Sequence, residues 1–115
     1  MLAQMNTTTI PTPLVTFVVT TSNQPVEYLV ECLSSITQLS LNAKEREIIL
    51  IDDGSEESPI QELAEFIDGI IYVRLPKLGN SMARNYGLLM ARGKYIQFIE
   101  GDDYLLQAAY EHCLD

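Results

Sequence analysis

Four short runs of β-branched and aromatic residues alternate with helix-like segments, and this alternation limits the fold of the chain more than any other feature. The runs occupy residues 14–20, 47–51, 70–75 and 94–99. Strands of this type that are separated by helices form parallel sheets, with helices packed on both faces. We therefore predict an α/β fold with a mostly parallel open sheet covered on both faces.

Polar residues predict where the helices begin and end. Asn23 is expected to cap the first helix. Residues 58–61, with the sequence Ser-Pro-Ile-Gln, match a capping box that opens a second helix. Asn80 or Ser81 is expected to cap a third helix that ends at Gly93. These signals supply one helix between each pair of neighbouring strands.

The two ends of the chain have different expected roles. Residues 1–13 are rich in threonine and bounded by proline, and we interpret them as a flexible leader. Residues 14–115 form the expected domain, with residues 105–115 beginning a further helix. The domain is expected to be truncated, because the sequence stops inside or just after that helix.

The charge balance limits the partners. The net charge is −9, from 7 basic and 16 acidic residues. Because no basic stripe is present to neutralise phosphates, a nucleic-acid partner is not expected. A nucleotide remains an allowed ligand, since a bound metal ion can supply positive charge.

Cysteine use and hydropathy indicate a compartment. Cys32 and Cys113 are interpreted as buried thiols in a reducing compartment, with a disulfide as the alternative. The first basic residue is Lys44, so no charged segment of a secretory signal precedes it. The apolar runs are too short to span a bilayer. We expect a cytoplasmic protein, with a membrane-proximal position as an allowed variant.

Two acidic clusters follow the second and fourth strands. Asp52 and Asp53 end one run, and Glu100, Asp102 and Asp103 follow the other. The carboxyl ends of parallel strands meet at one edge of a sheet, where ligands bind. Either aspartate of the first pair taken alone fits an ordinary turn or helix cap. Two adjacent aspartates repel each other, so we expect a ligand or cation to use them.

The second acidic cluster is a candidate metal site. Glu100 and Asp102 are expected on one side of an extended segment, because side chains alternate along a strand. Carboxylate oxygens suit Mg²⁺ or Mn²⁺. The alternative is a charged loop that caps the helix at Leu105. Arg84, in the third helix, is interpreted as a surface residue, a structural ion-pair partner of an acidic cluster, or a fixed positive group near the ligand.

Taken together, these segments resemble the family 2 glycosyltransferases, which are inverting enzymes of the GT-A fold. The resemblance spans residues 14 to about 105. It rests on four blocks in the family's order and spacing, namely residues 14–23, 51–55, 80–96 and 100–103. It implies a GT-A fold and a site for a nucleotide-sugar donor, most simply a UDP-sugar.

The resemblance also implies roles for individual residues. The loop after the first strand would contact base and ribose, and Asp53, with Asp52 beside it, would hold the base. Arg84 would steady the aspartates or the diphosphate. The last block would bind ribose and a Mn²⁺ or Mg²⁺ ion. The nucleotide-binding residues implied in this way are Thr20, Thr21, Ser22, Asp52, Asp53, Arg84, Glu100 and Gly101, and the metal ligands are Asp102, Glu100 and Asp103.

The catalytic base cannot be assigned to any residue, because the family's domain is longer than this chain. The expected function is sugar transfer in polysaccharide or related biosynthesis, to a saccharide, lipid or protein acceptor. The chain alone is expected to be inactive, and an exposed sheet edge favours self-association. The alternatives are a non-catalytic nucleotide-binding module of the same fold, a nucleotidyltransferase, and a flavodoxin-like or receiver-like module.

Overall fold

The structure, a computed structural model, describes residues 12–102 of the chain. Its four strands form one parallel sheet in the order β3-β2-β1-β4. This arrangement confirms the predicted α/β class. The strands are β1 (Val15–Thr21), β2 (Arg46–Asp53), β3 (Ile71–Leu75) and β4 (Tyr95–Glu100). The helices are α1 (Val26–Thr37), the short 3-10 helix (Ala64–Gly69) and α2 (Asn80–Met90).

The helices cover opposite faces of the sheet, as predicted. On the first face, Phe17 and Val19 of β1 pack with Leu33 of α1 in one buried cluster. On the second face, Val18 packs with Ala83 of α2. We call these the α1 face and the α2 face. Because side chains alternate along each strand, consecutive residues of β1 and β2 belong to different faces.

Each predicted strand is present, and β2 is longer than expected. It continues through both aspartates and ends at Asp53, instead of ending at residue 51. Strand β1, which pairs with both β2 and β4, brings their ends together, because Thr20 is paired with Ile51 of β2 and with Glu100 of β4. The acidic strand ends therefore lie at one edge of the sheet.

Two predicted helix caps are wrong, because their polar side chains bind elsewhere. Asn23 does not cap α1: its Oδ1 accepts a hydrogen bond from the Glu56 amide at 2.8 Å, and Pro25 precedes the helix. Residues 58–61 open a turn rather than an α-helix, and a 3-10 helix follows from Ala64. The Ser58 hydroxyl hydrogen-bonds the Tyr72 hydroxyl at 2.9 Å.

Helix α2 also differs at both ends from the prediction. Gly79, with φ of +101°, occupies the N-cap position in place of Asn80 or Ser81. The helix ends at Met90 rather than at Gly93. The amides of Arg92 and Gly93 instead donate to side chains of the sheet, Glu47 and Thr16 respectively. These tertiary contacts end the helix before the glycine.

Several predictions fall on residues outside the described range. The predicted helix from residue 105 to 115 lies outside it, and so do Asp103, Cys113 and most of the expected leader. Of the leader residues that are described, Pro13 is buried, and its carbonyl accepts a hydrogen bond from the Lys94 amide at 3.0 Å. Within residues 12–102, no helix is both long and apolar enough to cross a membrane.

Candidate functional site

A cleft of about 380 Å³ lies at the edge of the sheet where β1, β2 and β4 end. The residues that line it are Thr20, Thr21, Ser22, Gln24, Asp53, Asn80 and Glu100. Five of the seven are residues that the sequence nominated. Gln24 and Asn80 were missed, because an amide side chain in a loop or at a helix start carries no distinctive sequence signal.

Asp53 connects this cleft to the start of α2. Its carboxylate is almost fully buried, and its two oxygens accept hydrogen bonds from the amides of Leu78 at 2.6 Å and Gly79 at 2.9 Å. Asn80, the first residue of the helix, also borders the cleft. The positive end of the α2 dipole therefore lies beside the cleft, where it favours negative charge.

Asp52 lies apart from the cleft on the α1 face. Its carboxylate is fully buried, and Oδ1 accepts a hydrogen bond from the Ser55 amide at 3.0 Å. Oδ2 accepts hydrogen bonds from the Tyr72 hydroxyl at 2.7 Å and from Arg74 at 3.2 Å. The expectation that a ligand or cation must relieve repulsion between the two aspartates is wrong, because each is satisfied by protein groups on its own face.

Tyr72 and Arg74 are structural partners that the sequence analysis missed. Burial, together with the hydrogen bond to Asp52, raises the pKa of the Tyr72 phenol above 10.0, so the hydroxyl keeps its proton and donates. Arg74 also donates to the Ser55 carbonyl. Their alternation on β3, two residues apart, is a signal that both side chains face the same side of the sheet.

The loop after β1 is held against the turn after β2. The Ser22 hydroxyl donates to the Asp53 carbonyl at 3.0 Å. The Asn23 amide donates to the Ser55 hydroxyl at 2.8 Å, and Asn23 has a φ of +59°. These contacts fix Ser22 beside Asp53 at the mouth of the cleft.

Two buried polar atoms beside the cleft have no hydrogen-bond partner among the described residues, Oγ1 of Thr21 and Oε1 of Gln24. Gly101, a predicted nucleotide-binding residue, lies next to Gln24: a Cβ at this position would be 2.5 Å from that Oε1. The Gly101 amide donates to the Thr20 carbonyl at 2.8 Å. Gly101 therefore supports the wall of the cleft.

The prediction that Glu100 and Asp102 lie on one extended segment is wrong. Strand β4 ends at Glu100, and Gly101 and Asp102 form a turn. Glu100 borders the cleft, and both carboxylates are exposed. Within residues 12–102, no three acidic, histidine or cysteine side chains are grouped as a metal site. Asp103, the third proposed ligand, lies outside the described residues.

Arg84 lies on α2, and its guanidinium carbon is 5.0 Å from the centre of the Phe98 ring. In the described part of the chain it forms no ion pair, and the ion pair to the first acidic cluster comes from Arg74 instead. Its side chain is exposed. A cation stacked on an aromatic ring keeps its charge and its free N–H donors.

A further buried carboxylate, Glu47, lies at the opposite edge of the sheet. It accepts hydrogen bonds from the Thr16 hydroxyl at 2.8 Å and from Arg92 Nε at 2.7 Å. Burial raises the pKa of Glu47, but the hydrogen bonds and charge of Arg92, with the Thr16 hydroxyl, outweigh it and hold the pKa below 4.5. This cluster joins β1 and β2 to the segment before β4.

Sequence comparison places the chain beside a large set of sugar-transferring proteins. The model for glycosyl transferase family 2 matches residues 16–115. The minor teichoic acid biosynthesis protein GgaB of Bacillus subtilis is 36% identical over 92 residues, which are 76% of this chain and 10% of GgaB. The glycosyltransferase EpsJ of the same organism is 33% identical over 103 residues, which are 86% of this chain and 29% of EpsJ.

Solved structures share the fold. TarS of Staphylococcus aureus, residues 1–349, in complex with UDP-GlcNAc superposes with a TM-score of 0.78 at 23% identity, over 88% of this chain and 30% of that one. The mannosyltransferase PcManGT of Pyrobaculum calidifontis, in complex with GDP-Man and Mn²⁺, gives a TM-score of 0.69 at 22% identity, over 81% of this chain and 28% of that one. The chain thus spans about a third or less of these proteins, and the GT-A fold is confirmed.

Proposed function

This chain belongs to glycosyltransferase family 2, and on that premise we propose that it forms the donor-nucleotide site of an enzyme that transfers a sugar from a UDP-sugar. The observation that supports this most strongly is the cleft in which Thr20, Ser22, Asp53 and Glu100 come together. They come from three segments that are widely separated in sequence, at the ends of β1, β2 and β4, and these segments meet because the three parallel strands end at one edge. In open α/β sheets, this edge is where nucleotides bind.

The polar groups of the cleft fit a nucleoside. Carboxylate, hydroxyl and amide groups can accept and donate hydrogen bonds to the imide edge of uracil and to ribose hydroxyls. We propose that Asp53 and Ser22 contact the base and that Thr20, Thr21 and Glu100 contact the ribose. In this proposal Asp52 does not contact the nucleotide. Its buried carboxylate accepts a hydrogen bond from the Ser55 amide and thereby fixes the turn that follows Asp53.

The diphosphate needs positive charge, because Asp53 and Glu100 already make the cleft acidic. Two like unit charges at about 4 Å repel by roughly 4 kcal/mol at an effective dielectric constant of 20. The N-terminus of α2 supplies part of the compensation. Arg84, which is exposed on the same helix and stacked on Phe98, can supply more if a diphosphate lies along α2.

A divalent cation fits the remaining donor set. Glu100 and Asp102 offer hard carboxylate oxygens at the end of β4, and Asp103 follows them in sequence. We propose that these residues hold Mn²⁺ or Mg²⁺. When bound, such an ion offsets the charge that develops on a departing nucleoside diphosphate.

We propose that the acceptor belongs to a cell-surface glycopolymer, because GgaB is named for teichoic acid biosynthesis. The acceptor hydroxyl would need a carboxylate base, and we assign that role to none of the described residues. We therefore propose that this chain binds the donor and does not turn it over alone. Sugar transfer measured with the isolated chain tests this point, since any turnover contradicts it.

Isothermal titration calorimetry with UDP tests the donor site. We expect binding that strengthens with Mn²⁺ and weakens by about tenfold or more in Asp53→Ala, which is a change of about 1.4 kcal/mol or more. Asp102→Ala should remove the metal dependence. Asp68→Ala is the matched control, because Asp68 is an exposed aspartate of the 3-10 helix away from the cleft.

The possible results separate the parts of the proposal. Binding of equal strength with and without Mn²⁺ contradicts the metal site and leaves the nucleotide site intact. Equal losses in Asp53→Ala and Asp68→Ala contradict the assignment of the cleft. No UDP binding by the unaltered chain contradicts the donor proposal as a whole.

We also propose that the chain self-associates through β4. Among the described strands, β4 pairs only with β1, and its other edge has no strand partner within residues 12–102. Tyr95 and Ile96 on this strand are 58% and 36% exposed. An unpaired apolar edge favours strand addition. Light scattering should show dimers or larger species that decrease in Ile96→Lys, and a monomer at all concentrations would contradict the proposal.

A further inference from the structure

Helix α2 packs on the sheet with its small residues and exposes its large apolar ones. Its buried residues are Ala83 and Gly87. Its exposed large apolar residues are Met82 (44%), Tyr86 (39%), Leu88 (49%) and Leu89 (82%). A surface helix of a soluble domain usually buries its apolar side and exposes its polar side. The proposed donor function gives these exposed side chains no role.

Helix α1, on the other face of the same sheet, has the usual arrangement. Its buried residues are Leu29, Cys32, Leu33 and Ile36. Its exposed side carries two carboxylates, those of Glu27 and Glu31, and one large apolar residue, Tyr28. Helix α2 contains no acidic residue at all. The exposed apolar side of α2 is therefore particular to this helix and not a general property of the fold.

The basic residues of the chain are concentrated around α2. Residues 69–99 contain five of the 7 basic residues and none of the 16 acidic residues. Lys77 precedes α2, Arg84 belongs to it, and Arg92 and Lys94 follow it, all with exposed side chains. Within the described residues, Arg92 pairs with a buried carboxylate, whereas the other three form no ion pair. This part of the chain is positive, although the net charge of the whole chain is −9.

The exposed side chains of residues 77–94 form one surface, which we call the α2 surface. Met82, Tyr86 and Leu89 recur at intervals of four and three residues, so they lie along one side of the helix. Arg84 lies on the other flank, where its guanidinium carbon is 5.0 Å from the centre of the Phe98 ring. Basic residues therefore border the apolar side chains at both ends of the helix and along one flank.

This combination of side chains fits the surface of an anionic membrane. Helices that lie on a membrane expose leucine and aromatic residues, with lysine and arginine beside them. The basic residues attract anionic headgroups. A tyrosine fits the interface, because its ring is apolar and its hydroxyl is polar. An acidic chain is repelled by such a membrane in other orientations, so its basic surface is the one that can approach.

Other occupants fit the α2 surface less well. A nucleic acid presents a charged phosphate backbone, which gives the exposed Leu88 and Leu89 no apolar partner. A second copy in symmetric contact would bring two positive surfaces together, which is unfavourable. An acidic protein would match the charge but not the size of the exposed apolar side chains, and variants of the two kinds of residue distinguish it from a membrane.

We propose that the α2 surface binds a bilayer that contains anionic phospholipids, with Met82 and Leu89 in the interface and Arg84 and Lys94 among the headgroups. The helix lies along the membrane and does not cross it. This binding needs no nucleotide, so it holds or fails independently of the proposed donor site. Because α2 begins beside the donor cleft, where Asn80 lines the wall, the cleft would lie close to the membrane.

Co-sedimentation of the full chain with large unilamellar vesicles tests the proposal. We expect saturable binding to vesicles of phosphatidylglycerol and phosphatidylcholine in equal parts, about tenfold or more tighter than to phosphatidylcholine alone. Added NaCl should weaken the binding to the anionic vesicles, because it screens the exposed charges. Binding of equal strength to both kinds of vesicle, or to neither, overturns the proposal.

Two variants with matched controls test the two kinds of residue. Met82→Gln/Leu89→Gln should weaken binding by about tenfold or more, because both side chains leave water on binding. Tyr28→Gln, on α1, is its control. Lys94→Gln should weaken binding by about fivefold. Lys44→Gln is its control, because Lys44 is exposed and lies before β2.

The outcomes of these variants are distinct. Equal losses in the variants and their controls overturn the assignment to the α2 surface. A loss in Lys94→Gln without a loss in Met82→Gln/Leu89→Gln shows attraction by charge alone. That result fits an acidic macromolecule and overturns the membrane proposal.

A fluorescence measurement reports which side of the chain meets the membrane. The chain contains no tryptophan, so Leu89→Trp places a single probe on α2, and Tyr28→Trp places one on α1 as the control. Anionic vesicles should shift the emission of Leu89→Trp to shorter wavelength, and brominated lipid should quench it, with neither effect in Tyr28→Trp. Emission of Leu89→Trp that is already shifted before vesicles are added shows that a second copy or another segment covers the surface, and it overturns the proposal.

Discussion

Asp52 and Asp53 are neighbours in sequence, yet they lie in two different environments. Asp52 is on the α1 face, fully buried, with its oxygens occupied by Tyr72, Arg74 and the Ser55 amide. Asp53 is on the α2 face at the wall of the donor cleft, where it binds two backbone amides. The alternation of side chains along one strand produces this difference.

The comparison shows that an acidic pair can divide structural and binding roles between its members. Asp52 holds the turn after β2 and thereby the loop after β1, whereas Asp53 connects β2 to the start of α2 and borders the cleft. Substitution of Asp52 should therefore affect stability more, and substitution of Asp53 should affect ligand binding more. The four predictions below test this division, from the largest expected effect to the smallest.

Asp52→Asn should lower the free energy of unfolding by about 2.5 kcal/mol, because the amide nitrogen cannot accept the hydrogen bonds that Tyr72 and Arg74 donate. Urea unfolding followed by circular dichroism measures this loss. The affinity of the folded fraction for UDP should change by less than about threefold. Unchanged stability together with lost UDP binding would reverse the roles assigned to the two aspartates.

Gly87→Ala should destabilise the α2 face by about 2 kcal/mol, because a Cβ there would lie 2.2 Å from Cγ1 of Val18. Gly69→Ala is the control, since nothing lies within 4 Å of its added Cβ. Its stability should stay within about 0.5 kcal/mol of the original. Thermal unfolding of the two variants measures the difference. Equal stability would show that α2 can shift away from β1 at little cost and so avoid the contact with Val18.

Asp53→Asn should cost only about 1 kcal/mol of stability, because the amide retains one oxygen that can accept from Leu78 or Gly79. Its UDP affinity should nevertheless fall by about tenfold or more, if the proposed donor site is right. Urea unfolding and calorimetry on the same sample give both values. A loss of stability as large as in Asp52→Asn would erase the distinction between the two residues.

Glu47→Gln extends the comparison to a carboxylate at the opposite edge of the sheet. The pKa of Glu47 is lowered in the folded state, so its ionised form contributes stability above 4.5, the unfolded value. That contribution is lost as the pH falls through the lower folded pKa. The variant should be about 1 kcal/mol less stable near neutral pH and should converge with the original chain in acid. A constant difference across that range contradicts this account.

Much of the fold could be predicted from sequence, because each strand contains a run of β-branched and aromatic residues, and the two central strands, β1 and β2, are buried along almost their whole length. The helix ends could not, since they depend on distant partners. Asn23 is bound to Glu56, and Ser58 is bound to Tyr72, so neither is available to cap a helix. Arg92 is held by Glu47, which ends α2 before Gly93.

The candidate site could be predicted in part for the same reason. Strand ends place Thr20, Asp53 and Glu100 together, and spacing alone indicates this. The direction of each side chain could not be predicted, because it depends on the residue at which the strand ends. Because β2 continues to Asp53 instead of ending at residue 51, Asp52 is still a strand residue with its side chain on the α1 face.

The turn after β2 has one further consequence, for the lengths that its loops can take. Gly54 has a φ of +71°, and a Cβ on it would lie 2.7 Å from the backbone nitrogen of Lys77. The backbone segments at Gly54 and Lys77 are therefore so close that no side chain fits between them. An inserted residue in either loop would separate the Asp53 carboxylate from the amides that it holds. Over evolutionary time, residues 54 and 76–79 should stay constant in number, and Gly54 should stay glycine.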